Sequence, residues 1–156
     1  MEVSKGEVTQ GEVYCEVVSS LPDVDWAGLR ARAREASAKA YAPYSRVHVG
    51  ACAQLADGRL VEGSNVENAS YGLTLCAECA LVGDLARAGG GRLVAVSVVA
   101  SDGEPLTPCG RCRQLLFEHG GAHLLVDAGE GNAAITLDTL LPDAFGPDDV
   151  VARANS

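Results

Sequence analysis

Two short cysteine clusters carry the residue types most able to do chemistry. The first is Thr74-Leu75-Cys76-Ala77-Glu78-Cys79 and the second is Thr107-Pro108-Cys109-Gly110-Arg111-Cys112-Arg113-Gln114. Thiolates are soft ligands, and a zinc ion takes them in tetrahedral geometry. Cys109 and Cys112 are spaced i, i+3, which puts both on one face of a first helical turn and suits two bonds to one ion. Three readings are open on spacing alone. Cys76, Cys79, Cys109 and Cys112 spell a closed four-cysteine structural site. Three cysteines with Glu78 beside them spell an open site that keeps one position for water and has a proton carrier at hand. A redox CxxC pair is the third.

Each cluster falls where a helix begins. The free N–H groups of two helix N-termini would offset the negative charge that several thiolates bring to the ion. Residues at i and i+2 of a regular helix point apart. Cys76 and Glu78 therefore converge only if Cys76 stands at the very start, where the chain is still turning into the helix.

The elements that must hold these clusters follow from periodicity. Asp23 is read as the cap of a helix whose apolar positions are Trp26, Leu29, Ala33, Ala36 and Ala40, ended by Pro43, with Arg30, Arg32, Arg34 and Lys39 on a solvated face. Val47 to Leu55 alternates as a strand, Ala56-Asp57-Gly58-Arg59 turns it, and Leu60 to Val66 returns. A polar loop, Asn65 to Gly72, leads to the first cluster. Leu75 to Ala88 is helical, with Leu75, Cys79, Val82, Leu85 and Ala86 as its stripe, and Gly89-Gly90-Gly91 stops it. Arg92 to Ala100 is a strand buried on both faces. Pro108 opens a helix through Cys112, Leu115, Leu116 and His119, and His123 to Val126 is a short buried strand. Thr139 to Leu141 is a helical turn. A strand–helix–strand crossover demands a parallel pair, so the fold class is α/β, a mixed sheet with helices on both faces. His48, His119 and His123 are read as structural, as is Cys52 on the second face of the first strand.

At 156 residues the chain has the length of one domain with a sizeable core. We read residues 1–20, which include Cys15, as a flexible extension and 21–156 as the domain. Apolar residues make up 47% and charged residues 21%, as in a globular protein. Against 21 acidic residues there are 12 basic ones, a net charge of −9, which disfavours a nucleic-acid polymer as partner. No membrane span and no leader peptide are evident, and six cysteines then point to metal or catalysis in a reducing, cytoplasmic setting.

Cys76-Ala77-Glu78 with Pro108-Cys109-Gly110-Arg111-Cys112-Arg113-Gln114 closely resembles the small homotetrameric cytidine deaminases. The resemblance runs from about Leu29 to Val150 and includes Ala42-Pro43-Tyr44-Ser45-Arg46, Asn65-Val66-Glu67-Asn68-Ala69-Ser70-Tyr71 and Leu140-Leu141-Pro142-Asp143-Ala144-Phe145-Gly146. It implies a three-layer α-β-α sandwich around a mixed five-stranded sheet. It implies Zn²⁺ held by Cys76, Cys109 and Cys112, and Glu78 as the proton shuttle. Asn65 and Glu67 would bind the ribose 3′-hydroxyl, and the Ala77 N–H would meet the base O2. Ala69, Tyr71 and Phe145 would reach a neighbouring subunit's site. The activity implied is hydrolytic deamination of cytidine or deoxycytidine in pyrimidine nucleoside salvage.

Three departures stand out. Cys79 occupies a place where many relatives carry Arg, which removes a positive charge beside the thiolates unless Arg111 or Arg113 compensates. Val47-His48 replaces the usual Phe-Pro, so Val47 at the base leaves a looser pocket. Gly72 replaces a proline after Tyr71. A deaminase of a blasticidin-type nucleoside antibiotic is the neighbouring alternative, and a non-catalytic domain stapled by zinc through Cys79 is the alternative from another class.

Overall fold

The computed structural model describes residues 23–154. The expectation of a flexible extension over residues 1–20 lies outside them. In chain order the elements are α1 (Trp26–Ser37), β1 (Val49–Leu55), β2 (Leu60–Ser64), a 3₁₀ turn (Tyr71–Leu73), α2 (Ala77–Arg87), β3 (Leu93–Ala100), α3 (Gly110–Gly120), β4 (Leu125–Val126), β5 (Ile135–Thr136), α4 (Leu137–Leu140) and α5 (Pro147–Ala154).

Among the described residues the sheet has five strands in the order β2-β1-β3-β4-β5. β1 pairs antiparallel with β2 and with β3, placing Ala51 opposite Gly63 and Val98. β3 and β4 are parallel, as the crossover through α3 requires, with Val96 opposite Val126. β5 adds antiparallel to β4. β5 has no counterpart in the periodicity reading, because two residues are too few for alternation to register.

The period-2 pattern of β1 sorts its side chains into two cores. Ala51, Ala53 and Leu55 face α2 and α3, meeting Leu81, Leu85 and Leu116. Cys52 faces α1, meeting Leu29, Ala33 and Val99. The result is the expected α-β-α sandwich, one helix below and two above. Backbone contact is close on both sides. A Cβ at Gly50 would stand 1.8 Å from the Ala33 carbonyl oxygen of α1, and one at Gly63 would stand 2.3 Å from the Ala77 carbonyl oxygen of α2. Both positions need glycine for the helices to seat.

Several expectations need correction. The cap of α1 is Asp25, whose carboxylate accepts the Gly28 N–H at 2.9 Å, not Asp23. α1 stops at Ser37, short of Ala40 and well before Pro43. Its charged face is not merely solvated: Arg30 grips the buried Asp127 with two bonds of 2.8 Å, and Arg32 pairs with Glu62 at 2.9 Å. The stripe of α2 is Ala77, Glu78, Leu81 and Leu85, one position out of phase with the reading through Leu75 and Cys79. Leu75 lies before the helix and Cys79 is only half-buried.

Candidate active site and metal centre

Both cysteine clusters sit at the start of a helix, in nearly the same backbone conformation. Cys76 is the N-cap of α2 with φ −68° and ψ 160°. Cys109 is the N-cap of α3 with φ −66° and ψ 164°. Neither side chain closes a regular capping hydrogen bond, although the Cys112 N–H faces the Cys109 sulfur, so both sulfurs can turn to a shared partner. The two first turns then diverge. α3 offers its N-cap and the residue three further on, Cys112, which is fully buried. α2 offers its N-cap and the residue two further on, Glu78, also buried. Cys76 and Glu78 meet because the N-cap is extended rather than helical.

The sulfur atoms of Cys76 and Cys109 are 4.0 Å apart. Those of Cys76, Cys109 and Cys112 all lie within 4.8 Å of one another. Three sulfurs bonded at about 2.3 Å to a tetrahedral ion stand about 3.8 Å apart, so these thiols lie close to the spacing that zinc requires. Among the described residues Cys79 does not join this group. A four-cysteine staple would need Cys79 within this group.

Burial pushes the Cys76 and Cys112 thiols up, and the nearby Glu78 carboxylate opposes their ionisation further. Cys109 is pulled below the ordinary thiol range, first by the neighbouring Cys112 N–H. Burial raises the Glu78 carboxyl against the pull of its own backbone N–H and of Cys112. A carboxyl raised by burial holds a proton more readily and can still return it. Neither Arg111 nor Arg113 takes the place of the missing arginine: Arg111 reaches the Thr74 carbonyl at 3.4 Å, and Arg113 binds the Pro108 and Leu140 carbonyls.

A cavity of about 210 Å³ opens onto Cys76, Cys109 and Glu78. Val49, Val98, Leu75 and Leu106 give it apolar walls, and Asn65, Ala77, Thr74 and Thr107 complete it. Periodicity placed Leu75 in a helical stripe and Val49 and Val98 in strands but gave none of them a place on a cavity wall, since a wall residue and a core residue look alike in sequence. Thr74 also lines a second cavity of about 350 Å³ with Tyr44, Ser45, Glu67 and Tyr71. Asn65 and Glu67 thus stand in adjoining hollows. Asn65 is buried and ties the strand entrance, accepting from the Val49 N–H at 2.8 Å and donating to the Val47 carbonyl at 2.9 Å. The Glu67 carboxylate accepts the Ser45 hydroxyl and the N–H groups of Tyr44 and Ser45, which hold it below the usual carboxylate range, Ser45 foremost. Sequence reasoning quoted Tyr44 and Ser45 without a role; here they orient Glu67.

The remaining expected residues are spread over the surface. Val47 is 52% exposed and lines neither cavity. Ala69 is exposed in the loop before the 3₁₀ turn. Tyr71 and Phe145 are 76% and 58% exposed, and Tyr71 meets Tyr44 edge-on at 6.3 Å between ring centres.

A family model described as the cytidine and deoxycytidylate deaminase zinc-binding region matches residues 28–127. That range holds the three thiols and Glu78, and it defines the class as a zinc-binding deaminase domain. The relatives narrow it. The cytidine deaminase of Mycobacterium tuberculosis is 58% identical over 130 residues, covering 83% of this chain and 96% of the relative. That of Halalkalibacterium halodurans is 43% identical over 114 residues, covering 71% and 86%. The crystal structure of the M. tuberculosis enzyme superposes with a TM-score of 0.76 at 59% identity, covering 80% of this chain and 99% of that one. The chain belongs to the cytidine deaminase family.

Proposed function

We propose that this enzyme removes the 4-amino group of cytidine and deoxycytidine by hydrolysis, releasing the uracil nucleoside and ammonia, with Glu78 moving the protons. The observation that carries the reading is a buried carboxylate next to three converging thiols at the mouth of an apolar cavity. Zinc held by Cys76, Cys109 and Cys112 would supply Lewis-acid activation of water, lowering its pKa towards about 7. Glu78 accepts a proton from that water and hands it to N3 of the base, which makes C4 electrophilic. The remaining hydroxide adds to C4; Glu78 then takes the proton of the new C4 hydroxyl and passes it to the amine, whose bond to C4 breaks to release ammonia. Burial suits the task, because water excluded from the cavity cannot compete for either transfer.

Asn65 from the first hollow and Glu67 from the adjoining one bind the ribose 3′-hydroxyl, and the Ala77 N–H, at the first position of α2, meets the base O2. The second cavity carries one carboxylate and no lysine or arginine. This lining favours a neutral nucleoside over a nucleotide, whose phosphate Glu67 would repel. Ala69, Tyr71 and Phe145 project so that a second copy of the chain can cover the site, which supports a homotetramer. No helix among the described residues is long and apolar enough to cross a membrane. Thiol ligands that must stay reduced support a cytoplasmic enzyme of pyrimidine salvage.

Adding cytidine to the purified protein and following the ultraviolet change tests this directly. Loss of the cytidine absorbance is expected, abolished by a strong chelator and restored by zinc. Turnover of blasticidin S without turnover of cytidine, or activity indifferent to the chelator, would overturn it.

A further inference from the structure

Arg113 follows Cys112 directly and is half-buried. Its backbone N–H donates to the Cys109 carbonyl at 2.9 Å. Its side chain does two further things. Nε donates to the Pro108 carbonyl at 2.8 Å, and a terminal nitrogen donates to the Leu140 carbonyl at 2.6 Å, at the end of α4. One residue therefore holds both consecutive carbonyls from which the Cys109 side chain projects, and fastens them to a separate element.

That matters because the Cys109 end of this stretch is exposed, not packed in the core. Cys109 is exposed and lies outside the helix it caps. Pro108 is fully buried and has no N–H, so its carbonyl is the only backbone polar group it offers. Without Arg113 that carbonyl is a buried acceptor with no donor, and the peptide is pulled towards solvent.

We propose that Arg113 is a positioning residue for the Cys109–Cys112 half of the metal centre, setting zinc affinity through the Pro108–Cys109 peptide. The planar guanidinium suits this role, since its rigid fork fixes the separation and direction of its two bonds, whereas a lysine's donors rotate about a single nitrogen. The proposal rests on the three thiols being the zinc site.

The test compares zinc affinity, by competition with a chelator of known strength, and the visible spectrum of the cobalt-substituted full chain. Wild type, Arg113→Met, Arg113→Lys and Arg59→Met are measured together. Arg59 is the control: it also binds two backbone carbonyls, of Ala88 and Gly90, at 2.7 and 2.8 Å, but at the opposite end of α2. That end is about 18 Å along the helix from Cys76. Arg113→Met is expected to bind zinc about 10–100-fold more weakly and to shift the cobalt–thiolate band. Arg113→Lys is expected to fall between it and wild type, while Arg59→Met lowers Tm yet keeps both signals. Wild-type affinity and spectrum in Arg113→Met would overturn the proposal, as would an equal loss of zinc in Arg59→Met at the same Tm. Should Arg113→Met fail to fold, Arg113→Lys decides: weakened zinc supports the role, and wild-type affinity removes it. Absence of zinc from the wild type would instead sink the metal centre itself.

Discussion

Glu78 and Cys79 are neighbours in sequence and have different environments. The Glu78 carboxylate is turned into the site at the edge of the core, where burial raises it. Replacing it with an amide keeps the shape and removes the proton carrier. Glu78→Gln should therefore fold and hold zinc normally while turnover falls by about 10²–10⁴-fold or more, since each turnover needs the carrier more than once. Metal content and steady-state rates on the same preparation check this; wild-type rates would refute the role. Cys79 is half-buried and apart from the other three thiols. Cys79→Ser should retain one zinc per chain by metal analysis, and a zinc-free variant would bring the stapled domain back.

The metal centre is built by two helices that start alike and are rolled differently on the sheet. What sets the roll of α2 is the stripe Ala77, Leu81 and Leu85 pressed on β1 and β2, with Gly63 allowing the backbone to come close. Asp84 adds a tie, accepting the Glu62 N–H of β2 at 3.2 Å. A methyl group at Gly63 would strike backbone on both sides, the Ala77 oxygen and the Leu81 nitrogen, each at 2.3 Å. Neither can rotate away. Gly63→Ala should cost about 1–3 kcal/mol in denaturant titration. It should weaken zinc binding as well, because Cys76 caps the shifted helix and moves with it. A variant as stable as wild type would mean that α2 does not sit this tightly.

Across the whole molecule, the layer below the sheet is locked to it by a polar contact. Burial pushes the Asp127 carboxyl up, but the two bonds from Arg30, the Gly129 N–H and the Ser97 hydroxyl outweigh this and leave it below the usual range. A depressed carboxylate stabilises the fold above its unfolded pKa of about 3.9 and loses that contribution as pH falls through the folded value. Wild-type Tm should therefore drop steeply below about pH 4, and Asp127→Asn should start lower and lose less over the same range. Equal acid slopes for the two proteins would contradict this. On the opposite flank, Tyr71 and Phe145 are exposed beyond what a lone chain needs. Gln114 holds the Phe145 carbonyl at 2.7 Å, so α3, which carries Cys112 and is capped by Cys109, also fastens the segment that bears this exposed ring.

The spacing of Cys76, Glu78, Cys109 and Cys112, the hairpin at Gly58 and the parallel crossover were legible in the chain because each follows from local chemistry or from period. Neighbouring residues carry that information themselves. The grip of Arg30 on Asp127, the two-residue β5, the walls Val98 and Leu106, and the work of Arg113 were not, because each joins residues far apart with no repeating signal. The same limit applied at the centre of the site. Two CxxC motifs look equivalent as text, and only the packing of α2 on Gly63 decided that one would present its second cysteine and the other a carboxylate, since a helix's roll is set by what its buried stripe must meet.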